Sequence, residues 1–102
     1  MDKILRIDMS AAGPTFRIEP LGAYAGLGGR AMTSSIVAAE VPPLCHPLSA
    51  DNKLVIAPGL LSGSVAAMSG RISVGCKSPL TGGIKEANAG GQSSQMLARL
   101  GY

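Results

Sequence analysis

The amino-acid sequence predicts a small α+β domain with the element order ββαβββα, in which antiparallel β-sheets are flanked by helices. Three observations predict this order. Two alternating segments near the N-terminus are separated by a turn that contains Gly and Pro. One long segment has no proline and is rich in small residues, and three short apolar segments then follow between Gly-, Ser- and Pro-rich stretches. A length of 102 residues leaves room for one domain, so residues 1–102 are treated as a single domain.

The N-terminal hairpin is predicted from alternation of period two. Residues 3–9 alternate between apolar and charged side chains, which is typical of a strand with one face in water. In residues 15–19, Phe16 and Ile18 share one side, and Arg17 and Glu19 share the other. Residues 11–14 read Ala-Ala-Gly-Pro and indicate a turn, so we expect the two strands to pair antiparallel.

Two helices are predicted. The first covers residues 27–40, because this segment has no internal proline and ends before Pro42 and Pro43. The second covers residues 91–100, where Met96 and Leu100 lie at helical spacing and Gly101 stands at the position of a C-cap glycine.

The remaining strands are short apolar segments bounded by turn residues. We predict three of them, at residues 53–57, 71–76 and 84–88. Residues 60–70 are rich in Gly and Ser and are predicted to form an ordered loop, and residues 78–83 a turn.

Composition excludes several classes of protein. Nine Lys and Arg against six Asp and Glu leave a net charge of +3, but only 15% of residues are charged, which excludes a charge-rich disordered chain. The basic residues form no run and aromatic residues are scarce, so we expect no nucleic-acid partner. No segment has the length of a signal peptide core or a membrane span, so we expect a cytoplasmic protein with no membrane partner.

The candidate chemistry is anion binding by backbone and basic groups. Arg71 and Lys77 lie among glycine-rich segments, with the hydroxyl of Ser78 nearby in sequence. The segment Asn88-Ala89-Gly90-Gly91 directly precedes the second predicted helix. Exposed N–H groups, an arginine fork and a helix N-terminus are the components of a phosphate site. A set of tight turns in a small β-rich domain explains the same residues, so both interpretations stay open at this point.

Two other patterns are weaker. Gly26 to Ala31 fits GxGxxA before a helix, but no βαβ unit surrounds it, so a plain glycine-rich helix start is favoured over a nucleotide site. Cys45 and Cys76 form no CxxC pair, and His46 has no further ligand near it in sequence. We therefore predict reduced thiols and a surface histidine.

The sequence resembles the N-terminal domain of the tungsten- and molybdopterin-dependent aldehyde ferredoxin oxidoreductases. The matching segments are PLSADNKLVIAPG, LSGS, SGR, KSPLTG, NAGG and the terminal LGY, with weaker matches at KILRIDMS and GLGGRAM. The loop of residues 59–63 departs from the family's GPLTG pattern, because it reads Gly-Leu-Leu-Ser-Gly.

The resemblance implies a domain of two stacked β-sheets on which a bis-pterin cofactor with tungsten or molybdenum rests. It places Arg71 by the pterin and its phosphate, and it gives the backbone carbonyl of Asn88 to a magnesium ion. The expected cofactor-binding residues are Arg71, Lys77, Ser78, Asn88, Ala89, Gly90 and Gly91, with no catalytic residue in this chain.

The resemblance also implies the function. We expect an N-terminal, cofactor-binding part of an enzyme that oxidises aldehydes to carboxylic acids and passes electrons to ferredoxin. The family's four-iron four-sulfur cluster and catalytic groups belong to later domains, so we expect the chain alone to be inactive. We expect it to need those missing domains or to self-associate through an edge strand. The alternative is a small interaction module that has kept the fold and lost the cofactor.

Overall fold

A computed structural model describes residues 2–10 and 12–102. The predicted order ββαβββα is confirmed, with one short 3-10 helix that was not predicted, at Gly22–Tyr24. The strands are β1 (Lys3–Asp8), β2 (Thr15–Pro20), β3 (Val55–Pro58), β4 (Arg71–Lys77) and β5 (Ile84–Gly90), and the helices are α1 (Gly29–Glu40) and α2 (Ser93–Arg99). Of the predicted turn at residues 11–14, Ala11 lies outside the described residues.

Strands β1 and β2 form the predicted antiparallel hairpin. Leu5 lies opposite Ile18 and Ile7 lies opposite Phe16, so the apolar side chains share one face. This face is exposed, with Phe16 73% accessible to solvent. On the other face, Asp8 and Arg17 are exposed, and the guanidinium of Arg6 binds the carboxylate of Glu40 in α1.

The polar side of the hairpin is held against α1 by a charged cluster. The Nη1 and Nη2 groups of Arg6 donate to the two carboxylate oxygens of Glu40 at 2.6 and 2.9 Å, and its Nε donates to Glu19. The hydroxyl of Tyr24 donates to the same Glu40 carboxylate at 2.8 Å. The hydrogen bond from Arg6 lowers the pKa of Glu40 below its ordinary value, against the opposing effect of burial.

The three-stranded sheet has the order β3-β4-β5, with antiparallel neighbours. Helix α1 packs on the face that carries Ser73 and Gly75, and Thr33 of α1 contacts both residues. A Cβ on Gly75 would lie 2.8 Å from the Cβ of Thr33, so only glycine permits this approach. The core between helix and sheet consists of Met32, Ile36 and Ala57, with four partly buried neighbours, Leu21, Tyr24, Leu27 and Val55.

Strand β3 begins two residues later than predicted, at Val55 instead of Lys53. The register pairs Val55 with Gly75, so residue 53 would lie opposite Lys77. The side chain of Asn52 takes this place in the ladder. Its Oδ1 accepts the N–H of Lys77 at 3.0 Å, and its Nδ2 donates to the carbonyl of Lys77 at 3.0 Å. A side-chain amide thus replaces the backbone pair.

The two ends of the described chain meet beside β1. The N–H groups of Asp2 and Lys3 donate to the carbonyl of Gly101 at 2.9 and 3.2 Å, and the ammonium of Lys3 lies 4.8 Å from the ring centre of Tyr102. Gly101 has φ of 92°, as the predicted C-cap glycine requires. Within residues 2–10 and 12–102, no helix has the length and apolar character needed to cross a membrane.

Candidate anion-binding site

Arg71 stands at the first position of β4, directly opposite Gly90 of β5. Its Nε donates to the side-chain Oδ1 of Asn88 at 2.7 Å, on the same face of the sheet. A Cβ on Gly90 would lie 3.1 Å from Nη1 of Arg71, so the glycine leaves room for the guanidinium to lie over the strand. Neither Nη group has a hydrogen-bond partner among the described residues. The guanidinium fork therefore keeps N–H donors that no described residue uses.

The fork borders a shallow cavity of about 410 Å³, here called the Arg71 depression. It is lined by Met68, Ser69, Gly70, Arg71, Gly91, Gln92 and Gln95. The N–H of Gly91 donates to the carbonyl of Gly70 at 3.0 Å, and a Cβ on Gly70 would lie 2.4 Å from the carbonyl oxygen of Gly91. The two glycine segments are thus in direct backbone contact, which a side chain on Gly70 would prevent.

Gln95 fixes the loop that forms one wall of the Arg71 depression. Its Oε1 accepts the N–H of Gly63, and its Nε2 donates to the hydroxyl of Ser69 at 3.4 Å. In the same loop Met68 has φ of 59°, a left-handed conformation uncommon for a residue with a side chain. The sequence did not predict a role for Gln95 or Met68, because no motif marks a glutamine in the first turn of a helix or a methionine with a left-handed backbone.

The predicted position of the second helix was wrong at its start. Residues 88–90 belong to strand β5, and α2 begins at Ser93 instead of Gly91. The helix has seven residues, so its macrodipole is small. The candidate site therefore depends on Arg71 and on the contact between Gly70 and Gly91, more than on a helix N-terminus.

Lys77 lies at the opposite end of β4 from Arg71, about 20 Å away at the usual rise per residue. Its side chain is buried, and its ammonium donates to the carbonyls of Pro43 and Cys45 at 2.5 and 2.6 Å. Ser78 follows it and accepts the N–H groups of Leu80 and Thr81 at 3.2 Å. The structure therefore does not bring Lys77 and Ser78 to the Arg71 depression, and both hold loops in place.

Asn88, Ala89 and Gly90 lie on β5, at the edge of the sheet. Asn88 and Gly90 face the same side as Arg71, whereas Ala89 is paired with Ile72 and faces the other side. Gly91 follows with φ of 119°, which only glycine adopts without strain. The structure brings Asn88, Gly90 and Gly91 to Arg71, and it leaves only the backbone of Ala89 near them.

The weaker patterns have structural explanations. A Cβ on Gly28 would lie 2.7 Å from the N of Leu60, so this glycine admits the neighbouring loop at the start of α1. His46 accepts the N–H of Leu48 on its Nδ1 at 3.1 Å, in an exposed turn. Both Cys45 and Cys76 are free thiols. Within residues 2–10 and 12–102, no three His, Cys, Asp or Glu side chains form a metal-binding group.

Comparisons with known proteins agree on one family. A family sequence model described as "Aldehyde ferredoxin oxidoreductase, N-terminal domain" matches residues 4–102. The chain is 45% identical over 76 residues to a tungsten-containing aldehyde ferredoxin oxidoreductase of Pyrococcus furiosus, an alignment that covers 74% of the chain and 13% of that protein. It is 36% identical to the protein of the same name from Thermococcus kodakarensis, with 98% and 17% coverage. The Pyrococcus horikoshii protein of that name is 38% identical, with the same coverage. The chain thus spans less than a fifth of the length of these relatives.

Proposed function

Because this chain belongs to the aldehyde ferredoxin oxidoreductase family, whose N-terminal domain it matches, we propose that it forms the N-terminal part of a pterin-cofactor-binding domain. In this proposal the Arg71 depression receives a phosphate of the metal-bound pterin. The observation that carries the proposal is the pattern of hydrogen bonds at the guanidinium of Arg71. Its Nε is held by Asn88, and its Nη groups have no partner among the described residues. The guanidinium borders the backbone contact between Gly70 and Gly91, which a side chain on Gly70 would block.

The chemistry of these residues fits a phosphate. A guanidinium presents two parallel N–H donors that match two phosphate oxygens, and such charge-assisted bonds are stronger than neutral ones. Of the glycines at positions 70, 90 and 91, Gly91 leaves open space where a Cβ would lie, so a ligand can approach the backbone closely there. Lys77 has no part in this proposal, because its ammonium is already bound to two carbonyls.

A magnesium ion at the backbone carbonyl of Asn88 belongs to the same proposal. Strand β5 is the edge strand of its sheet, and edge strands have backbone carbonyls that no neighbouring strand pairs. Magnesium prefers oxygen ligands and is commonly bound through one or two protein oxygens together with phosphates. Ala89, Gly90 and Gly91 would then line the cofactor with their backbones.

For the whole enzyme we propose the oxidation of an aldehyde to a carboxylic acid, with water as the source of oxygen and ferredoxin as the acceptor of the two electrons. The metal-pterin supplies the redox chemistry when it is bound, and the protein supplies position and charge. The two cysteines of this chain are too few for the four thiolates of a four-iron cluster, so the cluster is proposed to lie in the remaining part of the enzyme. The proposed compartment is the cytoplasm.

Titration with inorganic pyrophosphate tests the phosphate site. We expect Arg71→Ala to weaken binding at least tenfold, the scale of one charge-assisted bond, and to leave the far-UV circular dichroism unchanged. Lys85→Ala is the matched control, since it removes one positive charge from the other face of the sheet. Equal binding by the wild type and Arg71→Ala would refute the site. In a full-length enzyme, Arg71→Ala should reduce the pterin content, and unchanged content would refute the assignment to this cofactor.

The chain alone is proposed to be inactive. Dye-linked aldehyde oxidation, measured without oxygen on the 102-residue chain with metal and pterin supplied, should not exceed the cofactor blank. The isolated chain would contact the cofactor from one side only, and this would leave the metal open to water. Turnover above the blank would place the catalytic groups within this chain and would refute the proposal.

The partner proposed for the isolated chain is a second copy, bound through the apolar face of the hairpin. This face consists of Leu5, Ile7, Phe16 and Ile18, and it borders an open apolar cavity of about 500 Å³ beside Tyr102.

Sedimentation velocity should detect self-association that Phe16→Ser weakens. Leu80→Ser is the control, because Leu80 is 93% exposed in a separate turn. A monomeric wild type at high concentration would contradict this proposal, and so would equal effects of the two variants.

A further inference from the structure

A series of hydrogen bonds links the buried contact between α1 and β4 to the guanidinium of Arg71. The hydroxyls of Thr33 and Ser73 lie 3.0 Å apart and both residues are fully buried. The Ser73 hydroxyl donates to Oε1 of Glu86 at 2.7 Å, and Nδ2 of Asn88 donates to the same oxygen at 3.2 Å. Oδ1 of Asn88 then accepts Nε–H of Arg71 at 2.7 Å. This series of hydrogen bonds therefore starts in the buried interior and ends at the candidate site.

Donor and acceptor chemistry permits only one orientation of the Asn88 amide in this series of hydrogen bonds. An ionised carboxylate only accepts hydrogen bonds, and a guanidinium only donates them. Reversing the amide would set its oxygen against Glu86 and its NH₂ against the Nε–H of Arg71, with neither bond formed. Glu86 therefore helps to hold the Asn88 amide in the orientation that presents its oxygen to Arg71.

We propose that Glu86 and Asn88 are positioning residues for the Arg71 guanidinium, and that the buried Ser73 hydroxyl holds Glu86 in turn. This inference rests on the proposed phosphate site, because its purpose is to direct the Nη groups of Arg71 at an anion. Rigid support of this kind matters for an arginine that is itself exposed, since a free side chain loses rotamer entropy when it binds. The hydrogen bonds from Ser73 and Asn88 lower the pKa of Glu86, so it is a carboxylate at neutral pH.

Electrostatics and positioning predict opposite results when Glu86 is removed. A carboxylate near the site repels an anionic ligand, so its loss should tighten binding if charge alone acts. If Glu86 positions Asn88 and Arg71, its loss should weaken binding despite the gain in net positive charge. Glu86→Gln separates the two effects. Both bonds to Glu86 end on Oε1, so the glutamine carbonyl oxygen can accept both without a charge.

The experiment compares these variants by calorimetric titration of the 102-residue chain with inorganic pyrophosphate. We expect Glu86→Ala and Asn88→Ala to weaken binding roughly fivefold. This effect is smaller than the loss of a whole charge-assisted bond, because Arg71 itself remains. Glu86→Gln should bind as tightly as the wild type or more tightly. Asp51→Ala is the charge control, since it removes one carboxylate from an exposed loop. Glu86→Ala binding as tightly as Asp51→Ala would overturn the proposal, and so would equal affinities of Glu86→Ala and Glu86→Gln.

A second measurement follows the Arg71 Nε–H itself by ¹H–¹⁵N NMR without ligand, with the signal assigned by its absence in Arg71→Lys. Wild type and Glu86→Gln should show a shifted signal that exchanges slowly with water. In Glu86→Ala and Asn88→Ala it should exchange fast at the position of a free arginine. An unchanged signal in Glu86→Ala would overturn the positioning role whatever the affinities are.

This measurement also distinguishes failure of the inference from failure of the proposed function. If Arg71→Ala leaves pyrophosphate binding intact, the phosphate site fails, and the positioning role is then decided by the NMR signal alone. Dispersed backbone spectra of each variant establish that the fold is retained.

Discussion

Replacing Lys77 by methionine should destabilise the fold and leave anion binding at Arg71 unchanged. Methionine keeps most of the aliphatic stem, so the substitution removes the ammonium with little change of volume. That ammonium donates to the carbonyls of Pro43 and Cys45, and it ties the segment after α1 to the end of β4. Lys77 is only 7% exposed, so the methionine side chain remains in a suitable environment.

The expected loss can be worked from the two hydrogen bonds. A hydrogen bond to a charged group contributes about 1.5–3 kcal/mol. The desolvation of the ammonium offsets part of this sum, and the freed carbonyls lie in a partly exposed loop where water can reach them. We therefore expect a loss of about 2 kcal/mol in the free energy of unfolding. For a domain of this size, such a loss corresponds to a fall in Tm on the order of 10 °C.

Urea unfolding followed by circular dichroism measures the loss, with pyrophosphate titration of the folded variant beside it. Lys85→Met is the control, because this exposed lysine should change the stability by less than about 0.5 kcal/mol. A Lys77→Met variant that is as stable as the wild type but binds pyrophosphate more weakly would refute the structural role and return Lys77 to the anion site.

Two further predictions concern the contacts of α1. Gly75→Ala should cost about 1–3 kcal/mol, because its Cβ would lie 2.8 Å from the Cβ of Thr33, whereas Gly13→Ala, with no atom within 4 Å of its Cβ, should be nearly neutral in chemical denaturation. A neutral Gly75→Ala would show that α1 does not approach β4 so closely. The lowered pKa of Glu40 predicts stability that is complete above its ordinary value of about 4.5 and is lost as the pH falls through the folded value. Thermal unfolding at several pH values should show a smaller acid loss in Arg6→Ala, and an identical acid profile would contradict the ion pair.

The order of elements was predictable because local signals decide it. Pro42 and Pro43 end α1 in any context, and alternating side chains over residues 15–19 favour a strand. The start of β3 was not predictable, because the side-chain amide of Asn52 replaces the backbone hydrogen bonds opposite Lys77. These two residues lie 25 positions apart in sequence. No local pattern distinguishes such an asparagine from one in an ordinary turn.

The candidate site was predictable in part, for a similar reason. Arg71, Asn88 and Gly90 come together because adjacent antiparallel strands bring the start of one to the end of the next. Lys77 carries a positive charge like Arg71 and lies in the same strand, and the sequence alone does not reveal that its ammonium is bound by the carbonyls of Pro43 and Cys45. The link from Ser73 through Glu86 to Asn88 depends on register, which follows from pairing and not from spacing along one strand.

The orientation of the hairpin follows from competition between its two faces. Alternation determines which side chains share a face, but it does not determine which face meets the rest of the domain. Here Arg6 binds two carboxylates, from Glu19 and from Glu40 of α1, and these bonds turn its side chain toward the helix, while Arg17 on the same face and Phe16 on the other stay in solvent. A hydrophobic face of this kind favours a covering surface. The same charged cluster that joins the hairpin to α1 therefore leaves its apolar side chains directed outward, where the proposed second copy would bury them.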